Sequence, residues 1–333
     1  MRCFWDERQR AHAPAGEFFN GAFHPAAEHS GRVDAILEAI GRTEAPGDSG
    51  MEPLLRAHSS GYLEFVQSAH SQWLAAGRGG DAFPYTFPVV RRRLLKLDRI
   101  DAELGQYGFD TSTPIGRGTW DSAYWSAQTA LAALAAALEG GRAFALCRPP
   151  GHHSGTDYFG GYCYLNNAAI AAEAALAGGL RRVAILDVDY HHGNGTQDIF
   201  YSRADVAFAS IHADPATDYP FFWGHSDETG EGEGGGATFN LPLTRGTRWG
   251  EYEVALNRAL DWIGRQEPEL LIVSYGADTH EADPISRFKL TTGDYPNMAR
   301  RIASLGLPTL IVMEGGYAVD ALGANVASFI SGF

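Results

Sequence analysis

The chain has 333 residues, 45% of them hydrophobic and 12% aromatic, enough to bury a substantial core and to exclude a disordered protein. Its formal charge of −14 argues against nucleic acid as a partner, because phosphate binding needs a basic surface, and instead favours cationic ligands. Cys3, Cys147 and Cys163 are too few and too scattered for a disulfide framework, and they form no C-x-x-C pair for a structural zinc.

Residues 1–16 carry Asp6, Glu7 and Arg8 where a signal peptide needs an apolar run, and no stretch approaches the roughly 18 apolar residues of a membrane span. The expectation is a cytoplasmic protein that does not touch a membrane. Periodicity gives a helix at 31–40, then an irregular stretch at 75–93 with Gly77, Gly79, Gly80, Pro84 and Pro88. A helix at 120–139 precedes a strand at 143–147, which runs into Arg148-Pro-Pro-Gly-His-His153. A helix at 166–177 leads to a strand at 182–188, followed by Asp189-Tyr-His-His-Gly-Asn-Gly195. After a strand at 206–211, residues 214–236 read as irregular and end in a glycine cluster. No Lys-Ser/Thr follows that cluster, so a phosphate cradle is set aside. A helix at 251–265, a strand at 270–274 leading to Tyr275-Gly-Ala-Asp278, a helix at 294–305, a strand at 309–313 leading to Glu314-Gly-Gly-Tyr317, and a helix at 321–330 complete the chain. This alternation implies an α/β fold, a single domain over 1–333 with a mostly parallel sheet and helices on both faces.

Four of the five strands end in polar, metal-competent residues, and in open α/β sheets ligands bind beyond the carboxyl ends of the strands. Asp187-x-Asp189-x-His191 follows the strand period, so its three side chains can share one face. Carboxylates and an imidazole suit zinc, with Asp278 as a further candidate; a catalytic zinc keeps one position for water, so one acidic candidate lies outside the ligand set if His191 binds. His152 and His153 are potential acid–base groups that each need a partner to fix the tautomer, and Tyr317 follows two glycines that suit delivery of a hydroxyl.

Together these segments, with Phe159-Gly-Gly-Tyr-Cys-Tyr-Leu-Asn-Asn167 and Asp283-Pro284, resemble the histone deacetylase family, which includes bacterial acetylpolyamine amidohydrolases. The resemblance extends over nearly the whole chain and implies the three-layer arginase/deacetylase fold. It implies Asp189, His191 and Asp278 as zinc ligands, Asp187 paired with His152, and His153 as the proton shuttle oriented by Asn194. Some members carry aspartate at the position of Asn194; the asparagine here looks like the class II and bacterial enzymes. It also implies a structural potassium ion held by Asp187, Asp189, His191, Ser210 and Ile211. Tyr317 would bind the oxyanion, while Gly161, Tyr162, Tyr219 and Ile285 would line a channel with Asp110 at its rim. Residues 75–106 look like the insertion by which acetylpolyamine amidohydrolases dimerise and narrow the channel mouth, and Arg91-Arg92-Arg93 could pair across that homodimer. The expected substrate is a small cationic acetylated amine. The alternatives are a protein acetyl-lysine deacetylase, a non-catalytic binding protein on the same fold, and an arginase-like dimetal hydrolase.

Overall fold

The computed structural model describes residues 1–89 and 97–333; the Arg91-Arg92-Arg93 run lies outside the described residues. In chain order the elements are β1 (Arg2–Phe4), the hairpin β2 (Glu17–Phe19) and β3 (Ala22–His24), then helices α1 (Gly31–Ile40), α2 (Glu52–Ala57), α3 (Ser60–Ala75) and α4 (Ile100–Tyr107). They continue through α5 (Thr119–Gly140), β4 (Arg142–Ala145), α6 (Asn167–Ala177), β5 (Val183–Asp187), α7 (Asn194–Phe200), β6 (Val206–Ala213) and β7 (Thr238–Leu243). The last are α8 (Trp249–Arg265), β8 (Leu270–Tyr275), α9 (Tyr295–Ala303), β9 (Thr309–Met313) and α10 (Val319–Ser331). Seven strands form one sheet in the order β1-β4-β9-β8-β5-β6-β7, with every pairing parallel, and β2–β3 stands apart as a two-stranded sheet.

Strand alternation divides the apolar residues between two cores. Val183 and Ile185 of β5, Leu270 and Ile272 of β8, and Leu310 and Val312 of β9 face a core completed by α2, α3, α5 and α6. Ala184, Leu186, Leu271, Val273, Ile311 and Met313 face the opposite core, closed by α1, α8, α9 and α10. Two buried faces explain why the strands read as apolar runs. Each fully buried Leu, Ile or Val stabilises the fold by about 1.5–3 kcal/mol relative to exposure. Alanine-rich α5 and α6 combine the best helix propensity with side chains small enough for close packing on the sheet and on each other.

The expected elements agree with the observed ones to within two residues, and 31–40 and 309–313 coincide with α1 and β9. Missed from sequence are β1, the hairpin, α2–α4, α7 and β7. Strand β7 contains Pro242, which argues against a central strand; the structure puts it at the sheet edge, where proline is tolerated. Within 75–106, Ala82 is held by paired hydrogen bonds to Ile115 (2.9 and 3.0 Å), and residues 100–106 belong to α4. The glycine-containing end of 214–236 is also held, with Glu231 N–H donating to the Tyr201 carbonyl at 2.9 Å. All three cysteines are free and buried. Among the described residues, no helix is long and apolar enough to cross a membrane.

Candidate active site

Strands β4, β9, β8 and β5 are consecutive in the sheet, so the four polar strand ends meet at one edge. There Asp189, His191 and Asp278 bring one ligand atom each within 4.8 Å of one another. Backbone amides aim the carboxylates: Asp189 Oδ1 accepts from His191 N–H at 2.9 Å and Oδ2 from Gly315 N–H at 2.8 Å, while Asp278 Oδ1 accepts from Tyr190 N–H at 2.9 Å. Asp278 Oδ2 and Asp189 Oδ1 converge on His191 Nδ1, at 3.0 and 3.3 Å. A Cβ on Gly276 would come within 2.0 Å of Asp189 Oδ2, so only glycine lets the β8 end pass this close. Strand β5 stops at Asp187, and the expected single face ends with it. Asp187 lies one layer behind, accepting from Asp189 N–H at 3.1 Å and pairing with His152 Nδ1 at 3.0 Å.

The electrostatics of this floor call for a cation. Burial disfavours a charged His191, but the Asp189 and Asp278 carboxylates outweigh it and push the imidazole up to about 10. Burial and the neighbouring Asp189 push the Asp278 carboxyl up to about 8. Two dry carboxylates and an imidazole nitrogen fit a divalent metal such as zinc. A second group, His152, Cys163 and Glu314, is also compact. It fits a metal poorly: burial pushes the Cys163 thiol up, away from the thiolate a metal needs, and Glu314 is already spoken for. Glu314 accepts from Gly151 N–H at 2.7 Å, His152 N–H at 3.2 Å and the Ser274 hydroxyl at 3.0 Å, which holds the histidine-bearing turn against β8 and β9.

The two histidines are driven apart although their ring centres are 4.0 Å from each other. Burial opposes charge on His152, but Asp189 and Asp187 prevail and raise it to about 10. Burial, with His152 and His191 close by, holds His153 well below the usual histidine range. Its Nδ1 is 2.6 Å from Asn194 Oδ1. One histidine is thus a cation and its neighbour a neutral base.

Tyr317 is 9% exposed, and burial keeps its phenol protonated. Its N–H donates to Asp283 Oδ2 at 2.7 Å, and the Arg32 guanidinium carbon lies 4.8 Å from its ring centre. Sequence reading missed the support beneath. Arg32 donates to the carbonyls of Gly316 (2.7 Å) and Glu314 (2.6 Å), and the buried Glu28 carboxylate accepts from both Arg32 and Arg148 at 2.9 Å. Glu28 and Arg32 are four residues apart, but nothing in the sequence marks their pairing with Arg148, 120 residues beyond Glu28.

A cavity of about 130 Å³ leads to this floor, with His153, His191 and Tyr317 among its lining. Gly161, Tyr162, Tyr219 and Ile285 also line it. Gly161 has φ +55°, and a Cβ there would lie 2.2 Å from His153 Cδ2. Asp110 stands behind the walls rather than on the cavity surface. Its carboxylate accepts from Gly161 N–H (2.7 Å), the Tyr219 hydroxyl (2.9 Å) and Ser112 N–H (3.1 Å), and so braces one wall against the other. The hairpin adds a residue that sequence reading missed. Glu17 is 7% exposed and lines the cavity, accepting from the Tyr162 hydroxyl at 3.1 Å, with Tyr162 standing between it and Tyr317. Behind the floor, Ser210 pairs with Asp187 across β5–β6, while Ile211 turns its side chain into the core and leaves only its backbone to a ligand.

Residues 26–333 match the histone deacetylase domain family. The chain is 50% identical to acetylpolyamine amidohydrolase 1 of Pseudomonas aeruginosa, over 100% of this chain and 99% of that protein. It is 45% identical to the acetylpolyamine amidohydrolase of Mycoplana ramosa, with 100% and 99% covered. The crystal structure of acetylpolyamine aminohydrolase from Burkholderia pseudomallei superposes with a TM-score of 0.95 at 40% identity, covering 100% of this chain and 98% of that one. With a family match over most of its length and these full-length similarities, the chain belongs to the histone deacetylase family, in its bacterial acetylpolyamine amidohydrolase-like branch.

Proposed function

We propose that this amide hydrolase is a zinc-dependent deacetylase of small acetylated amines, of the polyamine and diamine class. The observation that carries the reading is a metal-competent floor at the end of an aromatic cavity that also holds a buried carboxylate, Glu17. Asp189, His191 and Asp278 would hold the zinc, which when bound supplies Lewis acidity to the acetyl carbonyl and to an attacking water. His153, neutral and with Nδ1 engaged by Asn194, has Nε2 free to take the water proton and deliver it to the leaving nitrogen. His152, positive against Asp187, stabilises negative charge as it develops. The Tyr317 hydroxyl donates to the oxyanion. Tyr162 and Tyr219 flank the methylene chain, and Asp110 fixes their spacing. Glu17 then meets the distal ammonium that distinguishes a polyamine from a simple alkyl amide.

Two further assignments belong to the same reading. Asp187, Asp189, His191, Ser210 and Ile211 would hold a structural potassium ion behind the floor. The chain forms one domain whose 75–106 insertion builds a homodimer; exposed Phe19, Tyr85, Phe87 and Phe222, at 41–81% exposure, support an apolar contact of this kind. The deciding experiment compares steady-state rates on acetylputrescine, acetylcadaverine, acetylspermidine and an acetyl-lysine peptide, with metal content measured on the same sample. Small amines should outrank the peptide and zinc should be near one per chain. A peptide rate above every small amine would transfer the assignment to protein deacetylation.

A further inference from the structure

The histidine that acts as base needs its proton on Nδ1 and a free lone pair on Nε2, and the group behind it is an amide that can turn either end forward. A carboxylate presents an acceptor in both orientations. An asparagine presents an acceptor only when its oxygen faces the histidine; turned over, it offers N–H and selects the opposite tautomer. The structure has the oxygen forward, with Asn194 Oδ1 at 2.6 Å from His153 Nδ1. On the far side, Asn194 Nδ2 donates to the Tyr158 hydroxyl at 3.3 Å and, more weakly, to the His153 carbonyl at 3.5 Å.

Tyr158 has a single hydroxyl proton, and its destination settles what the oxygen can offer. The hydroxyl lies 2.7 Å from Asp198 Oδ2 on α7 and 3.3 Å from the Asn194 carbonyl, so the proton goes to the carboxylate. Its oxygen is left with lone pairs facing the amide. An acceptor at that point admits Nδ2 and repels Oδ1. Donor and acceptor roles are therefore fixed in sequence from the surface inward: Asp198 accepts, Tyr158 donates outward and accepts inward, Asn194 donates outward and accepts from His153.

We infer that Tyr158 and Asp198 are positioning residues that lock the Asn194 amide, and through it hold His153 in the Nδ1–H tautomer. This inference rests on the reading of His153 as the base. Asp198 is exposed, so its action is directional, through the hydrogen bond, and its charge is screened. The competing structural role is support of the neighbouring aromatic wall, because Tyr158 also packs beside Phe109 and Trp223, and Phe109 stacks on Tyr219. That role would act on substrate binding.

Two measurements on the zinc-loaded protein separate these. Tyr158→Phe should lower kcat by about tenfold with KM unchanged, a part of the 10²–10⁴ that a general base contributes. In an Asn194→Asp background the same substitution should have no effect, because a carboxylate needs no orienting. Asp198→Ala should reproduce part of the loss, and Asp198→Asn, which keeps an acceptor for Tyr158, should restore it. The second measurement is independent of turnover: nitrogen-15 spectra of histidine-labelled protein should show His153 as the Nδ1–H tautomer, with the Nε2–H form appearing in Tyr158→Phe. Equal loss of kcat in both backgrounds, a rise in KM without loss of kcat, or an unchanged tautomer in Tyr158→Phe overturns the lock. A wild-type protein inactive on every acetylated amine overturns the deacetylase reading instead, and the tautomer spectra still judge the lock.

Discussion

Replacing Glu17 by glutamine removes one charge from the cavity wall and keeps the side chain's size. In the native chain Tyr162 donates to Oε1 at 3.1 Å and Ala27 N–H to Oε2 at 3.3 Å, so lone pairs remain for a ligand ammonium. A hydrogen bond to a charged group in a partly dry setting is worth about 1.5–3 kcal/mol, which corresponds to roughly 10- to 150-fold in kcat/KM. The assay pairs acetylputrescine or acetylcadaverine with an N-alkylacetamide of equal length that lacks the ammonium. Glu17→Gln should lose that factor on the charged substrate and almost nothing on the neutral one. The pH dependence adds a second arm. Burial raises the Glu17 carboxyl above the usual range, so the preference for the charged substrate should fade as pH drops toward that range, and should be flat in Glu17→Gln. Equal losses on both substrates, or an unchanged pH dependence of the preference, would refute ammonium recognition by Glu17.

Tyr317→Phe should lower kcat roughly a hundredfold or more with little change in KM, the cost of removing one oxyanion donor; near-normal turnover would remove it from that role. Gly161→Ala should abolish activity while leaving a folded protein by circular dichroism, because the new Cβ falls 2.2 Å from His153 Cδ2 at φ +55°. His58 is buried and neutral, with Nδ1 at 2.9 Å from the Gly155 carbonyl and Nε2 accepting from Asn166 N–H at 2.9 Å, and burial lowers it to about 4. Its unfolded value is higher, so its contribution is full above about pH 6.5 and is lost as pH falls toward 4, about 3 kcal/mol in all. Urea denaturation at a series of pH values should fall less steeply with acid in His58→Gln, and parallel curves would contradict the assignment.

The chemistry-bearing strand ends were legible because each follows an apolar run long enough to read as a buried strand, and Asp189, His191 and Asp278 do converge. What periodicity cannot give is depth: Asp187 and Asp189 are two residues apart, yet one reaches His152 and the other His191. Glu17 was missed although a signal was present. Asn20-Gly21 between aromatic residues is a hairpin turn by composition, and both residues adopt positive φ, 49° and 79°. Glu28 and Arg32 lie four residues apart, but their joining with Arg148 gave no such sign, because it brings together segments 120 residues apart. Asp110 shows a role that composition cannot give: its carboxylate ties the Gly161 and Tyr219 walls together.

The hairpin carrying Glu17 shares no strand pairing with the seven-stranded sheet, and its register is set by its own two-residue turn. On the proposed reading, the part of the cavity that would tell one amine from another is therefore an appendage, built separately from the floor that would hold the metal. Exchanging residues 17–24 for a hairpin of different charge would re-address the molecule to anionic or neutral acetamides while Asp189, His191 and Asp278 keep their places. Selectivity and chemistry can thus drift independently in such a chain, with the first changing over a few residues of surface and the second anchored in four strands.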